Sequence, residues 1–444
     1  MSNSNTPTNP TNAEPLFSDN FTVNHITIEY SLYSYRLSTK FPFGTAHSTT
    51  KHRNNALFQL TIGGSTTYGE AGLPPKRKHV YCADIQDCHL FVQSWSTTFK
   101  ELLLVPLAKV TVEKLLATVA VPLRCALQED TTEWSRVVKC ALLAIQQCDI
   151  AKEGKSFATA GQAMIEVAVI SAVAQRLNVP TYTLLGINGA DSSRPTFYTA
   201  SLNDDIAITL ESASFGKEIT PHLKIKLNNN PEQTQNILAT LHESENKNEK
   251  DDERPAVKWC VDANCAWTPT LAIEMLAILK PYVHKIMMVE QPFPVETTLA
   301  NGGTTQNVLN EWINVKKQFN AAGFPIFADE SMRVATDISR LVPLVNGVNI
   351  KMEKCGGYIN ALKVADEAKK AGLDIWIGCM VGSTLNGNGA AQLVGMDGVV
   401  GSDLDGSALV TTECQAWLQG GFEFLDGGIT VAKDGIGLNL KCIV

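Results

Sequence analysis

The stretch Val257-Lys-Trp-Cys-Val-Asp262 is a short apolar run that ends in a carboxylate. The same arrangement returns at Lys285-Ile-Met-Met-Val-Glu290 and at Ile326-Phe-Ala-Asp329. Helix-length segments separate the three runs, as in parallel strands that are joined by crossover helices. The three segments therefore predict consecutive β–α units.

The pattern extends on both sides of this stretch. Four further apolar runs lie at Phe197–Leu202, Leu223–Leu227, Gly347–Lys351 and Ile375–Met380. So many units in series favour a closed barrel over an open sheet, and such a barrel carries its active site at the carboxyl ends of its strands. We therefore predict an α/β fold with a TIM-type barrel over residues 191–413.

Residues 21–190, which precede the predicted barrel, show a different pattern of apolar and polar residues. Thr22–Leu37 alternates like a strand, Ser38–Asn54 is polar and basic like a loop, and Ala56–Ile62 leads into a Gly-Gly turn. From about Gln86 to Leu185 apolar residues recur at helical spacing. Strands followed by helices predict an α+β domain in this part of the chain.

The two ends and two internal segments are distinct in composition. Residues 1–20 are rich in Ser, Thr, Asn and Pro and predict a disordered tail, whereas the glycine-rich segment 414–444 has strand-like ends and is expected to fold back onto the N-terminal domain. Residues 242–255 and 297–306 are polar and predict inserted loops.

Composition narrows the class of protein. Of 444 residues, 44% are hydrophobic, which excludes whole-chain disorder, and the net charge of -8 disfavours a general nucleic-acid binder. No apolar run reaches the length of about 18 residues that a membrane span needs. The 11 scattered cysteines, together with an N-terminus that lacks the features of a secretory signal, predict reduced thiols and a cytoplasmic location.

The carboxylates Asp262, Glu290 and Asp329 end three consecutive predicted strands. Each one alone could equally cap the following helix. Together at one barrel mouth they would repel one another unless a cation neutralised them. Because hard divalent cations prefer oxygen ligands, the three predict a Mg²⁺ site.

Lysines stand at two further strand ends. Lys224 and Lys226 alternate with apolar residues and share one face of their strand, which is also the pattern of an exposed edge strand. Lys351 ends an apolar run on the expected opposite side of the barrel, where a structural ion pair is the alternative. Two lysines that face each other across a metal indicate proton transfer at a carbon from both sides.

Asp403 and Asp405 follow the last strand region at a spacing that lets both face one cavity. A substrate ammonium would be their natural partner. An exposed acidic turn is the alternative.

Together these residues resemble the enolase superfamily, in its muconate-lactonising subgroup, and most closely the dipeptide epimerases. Lys224-Ile-Lys226 is similar to the K-x-K of the second barrel strand, and Lys351 to the opposing lysine of the sixth. Asp262, Glu290 and Asp329 match the three Mg²⁺ ligands. The resemblance covers nearly all of the chain; Ser171, where the family usually has Asp, departs from it.

The resemblance implies a modified (β/α)7β barrel, a cap built from the N-terminal part and the C-terminal segment, and an isomerase that can form homo-oligomers. The implied reaction is a reversible 1,1-proton transfer at the Cα of a dipeptide's C-terminal residue, through an enediolate. Lys226 and Lys351 would act on opposite faces and Lys224 would tune Lys226. Asp403 and Asp405 would hold the dipeptide's ammonium.

Other functions share parts of this site. A cycloisomerase, an N-acylamino acid racemase or an o-succinylbenzoate synthase would use the same lysines and metal, but has no use for two aspartates that bind an ammonium. A non-catalytic binding protein on the same barrel would be expected to have lost a catalytic group, and none is lost here.

Overall fold

The computed structural model describes residues 9–81, 83–148, 159–190, 193–246, 257–299 and 304–443. The first eight residues of the expected tail, residues 247–255 of the first expected insertion and residues 300–303 of the second lie outside these ranges. The ten cysteines within them are all free thiols. Among the described helices, none combines the length and the apolar character that crossing a bilayer requires.

The cap contains a four-stranded antiparallel sheet whose strands follow one another in sequence. They are β1 (Phe17–Val23), β2 (Ile26–Gly44), β3 (Thr49–Ile62) and β4 (Ser65–Ala71). The chain therefore joins the sheet at Phe17, inside the segment 1–20 that we expected to be a tail. A turn at Asn24 and His25, both with positive φ, separates β1 from β2 where a single strand was expected.

The β2–β3 hairpin replaces most of the loop that was expected at residues 38–54. Its strands continue to Gly44 and resume at Thr49, so that only four residues form the tip. Lys51 and His52 are exposed, whereas Arg53 points inward. Basic residues thus form part of a strand here because only one face of the strand is buried.

Helices cover one face of the cap sheet. They are α1 (Ile85–Leu104), α2 (Lys109–Thr118), α3 (Val121–Glu129), α4 (Glu133–Gln147), α5 (Thr159–Leu177) and α6 (Thr181–Leu184). Trp95 of α1 stacks on Phe99 and meets Tyr30 of the sheet edge-on, and all three are buried. Through this aromatic cluster, α1 packs against the strands of the cap sheet.

Eight parallel strands form the barrel. They are β5 (Tyr198–Ala200), β6 (Leu223–Lys226), β7 (Trp259–Asp262), β8 (Ile286–Glu290), β9 (Ile326–Ala328), β10 (Gly347–Ile350), β11 (Asp374–Gly378) and β12 (Val399–Asp403). Each strand pairs with its neighbours in sequence. A parallel bridge from Thr196 to Ser402 brings the first and last strands together, and the barrel prediction is confirmed.

The described helices that follow the barrel strands range from 4 to 16 residues in length. They are α7 (Ile206–Gly216), α8 (Pro231–Asn246), α9 (Pro269–Leu279), α10 (Gln306–Ala321), α11 (Ile338–Leu341), α12 (Met352–Cys355), α13 (Tyr358–Lys370), α14 (Thr384–Ala391), α15 (Gly406–Leu409) and α16 (Thr412–Gln415). The first residues of the expected insertion at 242–255 belong to α8.

The C-terminal segment lies against the cap. It contains β13 (Leu418–Gly420), β14 (Glu423–Leu425), β15 (Gly428–Thr430) and β16 (Leu440–Cys442), paired β13 with β16 and β14 with β15. The hydroxyl of Tyr35 donates to the carbonyl of Cys414 at 2.6 Å and accepts from the indole N–H of Trp417 at 2.9 Å. These contacts join β2 of the cap to the last part of the chain.

A buried carboxylate joins the cap to a barrel helix. Glu166 of α5 accepts a hydrogen bond from the backbone N–H of Ile359, in the first turn of α13, at 2.8 Å. Gly357 at the start of that helix has a φ of +114°, and a Cβ there would lie 2.6 Å from Glu166 Oε1. Glycine is therefore required for the close approach. Burial raises the pKa of Glu166 to about 7.

Because this pKa lies above the ordinary value of 4.5, the folded protein binds the Glu166 proton more tightly than the unfolded chain does. The resulting stabilisation is present at low pH and is lost as the pH rises from 4.5 to about 7. Glu166→Gln cannot ionise, so we expect its free energy of unfolding relative to wild type to improve by about 1–3 kcal/mol between pH 5 and pH 8. Thermal melting at the two pH values measures this, and the exposed Glu367→Gln should show no such gain; equal gains in both variants would contradict the prediction.

Candidate active site

Three carboxylates meet at the carboxyl ends of neighbouring barrel strands. Asp262 ends β7, Glu290 ends β8 in direct register with it, and Asp329 follows β9. Their ligand oxygens lie within 4.8 Å of one another, and none of the three residues has exposed surface. The strand-end pattern in the sequence therefore corresponds to one buried cluster.

Lysine side chains hold these carboxylates together. Lys226 donates to Asp262 Oδ2 at 2.5 Å, and Lys351 donates to Asp329 Oδ2 at 2.9 Å. Lys224 forms ion pairs with Glu290 and, at 3.4 Å, with Asp262. Without this positive charge, a buried group of three carboxylates would be strongly destabilised.

The pKa values of the carboxylates diverge. Burial alone raises the pKa of Asp262, but the ammonium groups of Lys226 and Lys224 outweigh burial and hold it at about 2. Burial raises the pKa of Glu290 to about 8, against the opposing effect of Lys224 and with further help from the neighbouring carboxylates. A cation bound at the cluster would favour the ionised form of Glu290 and so offset the effect of burial.

The two predicted proton-transfer lysines lie on opposite sides of the barrel mouth. Lys226 ends β6 and Lys351 follows β10, which are the second and sixth of the eight strands. Both are buried and both line the same cavity at the barrel mouth. Burial lowers the pKa of Lys351, but Asp329 and other carboxylates reverse this effect and hold it well above its ordinary value. A cation bound to those carboxylates would weaken that hold.

Asp403 and Asp405 are buried at the end of β12 and line the same cavity. Asp403 accepts from Lys224 at 2.8 Å and from the indole N–H of Trp376 at 2.7 Å. Asp405 accepts from the backbone N–H of Thr199 at 2.5 Å. Burial, reinforced by the charge of Asp403, raises the pKa of Asp405 to about 6. The structure thus brings both residues to the cavity, with Asp403 already bound to a lysine.

The cap hairpin covers the cavity. The imidazole Nε2 of His47, at the hairpin tip, lies 2.6 Å from the carbonyl oxygen of Asn264 beyond β7. On the other side, the backbone N–H of Leu202 donates to Gly44 at 3.1 Å, and a Cβ on Gly44 would collide with the carbonyl of Leu202. These contacts place Phe43 and Arg53 over the barrel mouth.

Two functional candidates had no role in the sequence analysis. Lys354 donates to the carbonyls of Asp329, at 2.6 Å, and Asn349, at 3.0 Å. In the sequence, Lys354 could have been identified because it follows Lys351 by about one helical turn. Arg53 lines the cavity from the cap. Because it lies two residues before the buried Asn55, strand alternation places both side chains on the same, buried face.

Comparisons with known proteins find related sequences that cover most of the chain. The family described as Enolase C-terminal domain-like matches residues 216–441. An enolase superfamily member from Dictyostelium discoideum is 34% identical, over 94% of this chain and 98% of its own. An L-Ala-D/L-amino acid epimerase from a Maribacter species is 25% identical, over 92% and 95%.

The fold is also similar to that of a solved dipeptide epimerase from Enterococcus faecalis, which was crystallised with Mg and the dipeptide L-Leu-L-Tyr. The TM-score is 0.67 at 22% sequence identity, with coverage of 93% of this chain and 98% of that one. This likeness extends through both the cap and the barrel.

Proposed function

This chain belongs to the enolase superfamily, and on that premise we propose that it is a Mg²⁺-dependent dipeptide epimerase, an isomerase. The proposed reaction reversibly moves the proton on the Cα of a dipeptide's C-terminal residue. The observation that carries the proposal is the placement of Lys226 and Lys351 on opposite sides of one buried cavity. The names of the similar Maribacter and Enterococcus proteins support the choice of substrate class.

The carboxylate cluster fits a magnesium ion. All its donors are hard oxygen atoms from Asp262, Glu290 and Asp329, close enough to share one ion. When bound, Mg²⁺ would supply positive charge that stabilises the negative charge developing on the substrate carboxylate and lowers the pKa of the nearby lysines. The similar Enterococcus structure contains Mg.

Each lysine serves one face of the substrate's Cα. A neutral lysine on one side removes the proton, and a protonated lysine on the other side donates one, which inverts the configuration. Lys224 lies two residues before Lys226 on the same strand and keeps positive charge beside it. The cap hairpin contributes Phe43 and Arg53 to the cavity wall, which limits the access of water to the reacting carbon.

Asp403 and Asp405 would bind the free ammonium of the dipeptide. Asp403 is already paired with Lys224, whereas Asp405 forms no ion pair within the described residues, so Asp405 is the carboxylate that a substrate ammonium can pair with. This feature separates a dipeptide epimerase from a racemase of N-acylated amino acids, whose substrates lack an ammonium.

The direct test is a screen of dipeptides in D₂O with Mg²⁺ present, followed by mass spectrometry. Deuterium should enter only at the Cα of the C-terminal residue, and both epimers should form. Exchange of N-acylated amino acids without exchange of any dipeptide would instead support the racemase alternative. No exchange with either class would reject the proposal.

Asp405→Asn should selectively weaken the use of dipeptides that carry a free ammonium. We expect kcat/KM for such a dipeptide to fall about 10- to 100-fold, since a charge-assisted hydrogen bond contributes about 1.5–3 kcal/mol. Turnover of its N-acetyl derivative should stay unchanged, so the preference for the free amine shrinks. Asp204→Asn, an exposed residue just after β5, is the matched control. An unchanged preference in Asp405→Asn would show that the ammonium binds elsewhere.

A further inference from the structure

Arg53 is a buried cation in the cavity that has no carboxylate partner among the described residues. It is only 6% exposed. Its guanidinium donates to the hydroxyl of Thr50 and lies 5.4 Å from the centre of the Phe43 ring. Burial alone lowers its pKa to about 10. By contrast, Lys224, Lys226 and Lys351 at the barrel mouth each form an ion pair with a carboxylate.

A buried charge without a counter-ion costs several kcal/mol, so folded proteins nearly always pair such groups. A single hydroxyl and an aromatic face satisfy only part of the five N–H donors of a guanidinium. Arg53 lines the same cavity as Lys226 and Lys351, so its remaining donors can meet a substrate bound there. Their natural complement is a carboxylate, which the planar guanidinium can bind with two parallel hydrogen bonds.

The position of Arg53 indicates which part of a dipeptide it would meet. In the hairpin, Arg53 pairs with Leu37. The next residues, Ser38 and Thr39, bond to Thr411 and Val410 just after the Asp403–Asp405 segment. Arg53 therefore stands on the β12 side of the barrel mouth.

That side is where the dipeptide's ammonium would bind, whereas the carboxylate cluster at the ends of β7, β8 and β9 would hold the carboxyl-terminal end. The side chain nearest to Arg53 thus belongs to the N-terminal residue. We propose that Arg53 binds an anionic side chain on the N-terminal residue of the substrate, so that this chain prefers dipeptides beginning with Asp or Glu. The proposal rests on the proposed function and adds the substrate class.

The charges on the cavity wall agree with this assignment. Asp403 is balanced by Lys224 and Asp405 by the substrate ammonium, and the substrate carboxylate would lie by the carboxylate cluster and its cation. A dipeptide whose N-terminal residue has a neutral side chain would leave Arg53 without a carboxylate partner. A side-chain carboxylate would complete the pairing, and the contacts of His47 and Gly44 with the barrel hold the arginine in position.

The test compares three dipeptides, Glu-Ala, Met-Ala and Ala-Glu, by Cα deuterium exchange with the wild type and with Arg53→Met, Arg53→Lys and Arg36→Met. Arg36 lies on the neighbouring strand of the same hairpin but is exposed, which makes it a matched control. We expect wild type to prefer Glu-Ala over Met-Ala by about 10- to 100-fold in kcat/KM. Arg53→Met should lose this preference mainly through a higher KM, Arg53→Lys should recover part of it, and Arg36→Met should retain it.

Several results would overturn the inference while leaving dipeptide epimerisation intact. One is wild-type turnover of Met-Ala as efficient as that of Glu-Ala, which needs no variant to fold. Another is an unchanged preference for Glu-Ala in Arg53→Met. An Arg53-dependent preference for Ala-Glu would place the anionic side chain on the C-terminal residue and overturn the assignment. Absence of exchange in all dipeptides would reject the proposed function itself, and the inference with it.

Discussion

Replacing Lys351 by methionine should abolish epimerisation, with a loss of at least about 10³-fold in kcat, and so should replacing Lys226. General acid–base groups contribute about 10²- to 10⁴-fold each. Inversion needs both lysines, because one removes the proton and the other returns it to the opposite face. Methionine retains most of the buried volume of lysine. Asp329 keeps its contact with Lys354 when Lys351 is replaced.

The more specific expectation concerns exchange without inversion. In D₂O, each single variant should still exchange the Cα proton of the one stereoisomer whose proton faces the remaining lysine. The two variants should be complementary in this respect, and a merely structural role of either lysine would not produce that pattern. Lys369→Met, which removes an exposed lysine paired with Asp397, should behave as wild type. Turnover within a few-fold of wild type in either catalytic variant would refute the two-lysine mechanism.

Removal of the metal, or of a ligand to it, should have an effect of similar size. We expect a chelator to eliminate turnover and Mg²⁺ to restore it, and Glu290→Gln to lose at least about 10³-fold in kcat, since a metal contributes several kcal/mol to stabilising charge in the transition state. Glu290 is fully buried among carboxylates and lysines, and its pKa is raised to about 8. A glutamine there keeps the shape but cannot ionise, so it cannot become the negatively charged ligand that a bound cation requires.

Metal binding can be measured apart from turnover. Calorimetric titration should show Mg²⁺ binding to the wild type and much weaker binding to Glu290→Gln. Mg²⁺ should also raise the melting temperature of the wild type, because a ligand that binds only the folded state stabilises it. Asp397→Asn removes an exposed carboxylate and should leave both measurements unchanged. A wild-type melting temperature that does not respond to Mg²⁺ would contradict the proposed site.

Much of the barrel and the membership of the carboxylate cluster could be predicted from local sequence pattern. A charged residue at the end of an apolar run has few positions available in a closed barrel, since parallel strands bring all their carboxyl ends to one rim. Asp262, Glu290 and Asp329 could therefore be grouped without any knowledge of distances.

The predictions that were wrong concern segments whose structure depends on contacts with other parts of the chain. The chain joins the cap sheet at Phe17 because β1 pairs with β2, although its polar composition is typical of a tail. The segment 38–54 forms a hairpin rather than a loop because its strands pair with each other and its tip contacts Asn264 and Leu202 of the barrel. Composition does not encode such contacts.

The sequence by itself determined the class of fold. It also determined which three carboxylates and which lysines lie at the ends of barrel strands, because hydrophobic periodicity and the order of the strands along the chain can be read directly from the residues. Only the tertiary structure decided which charges compensate one another. Lys224 pairs with Asp403 across 179 positions of sequence, whereas Arg53 reaches the cavity from the cap and forms no ion pair with a carboxylate of the described residues. Electrostatic pairing depends on distance and burial, which arise only when distant parts of the chain fold together.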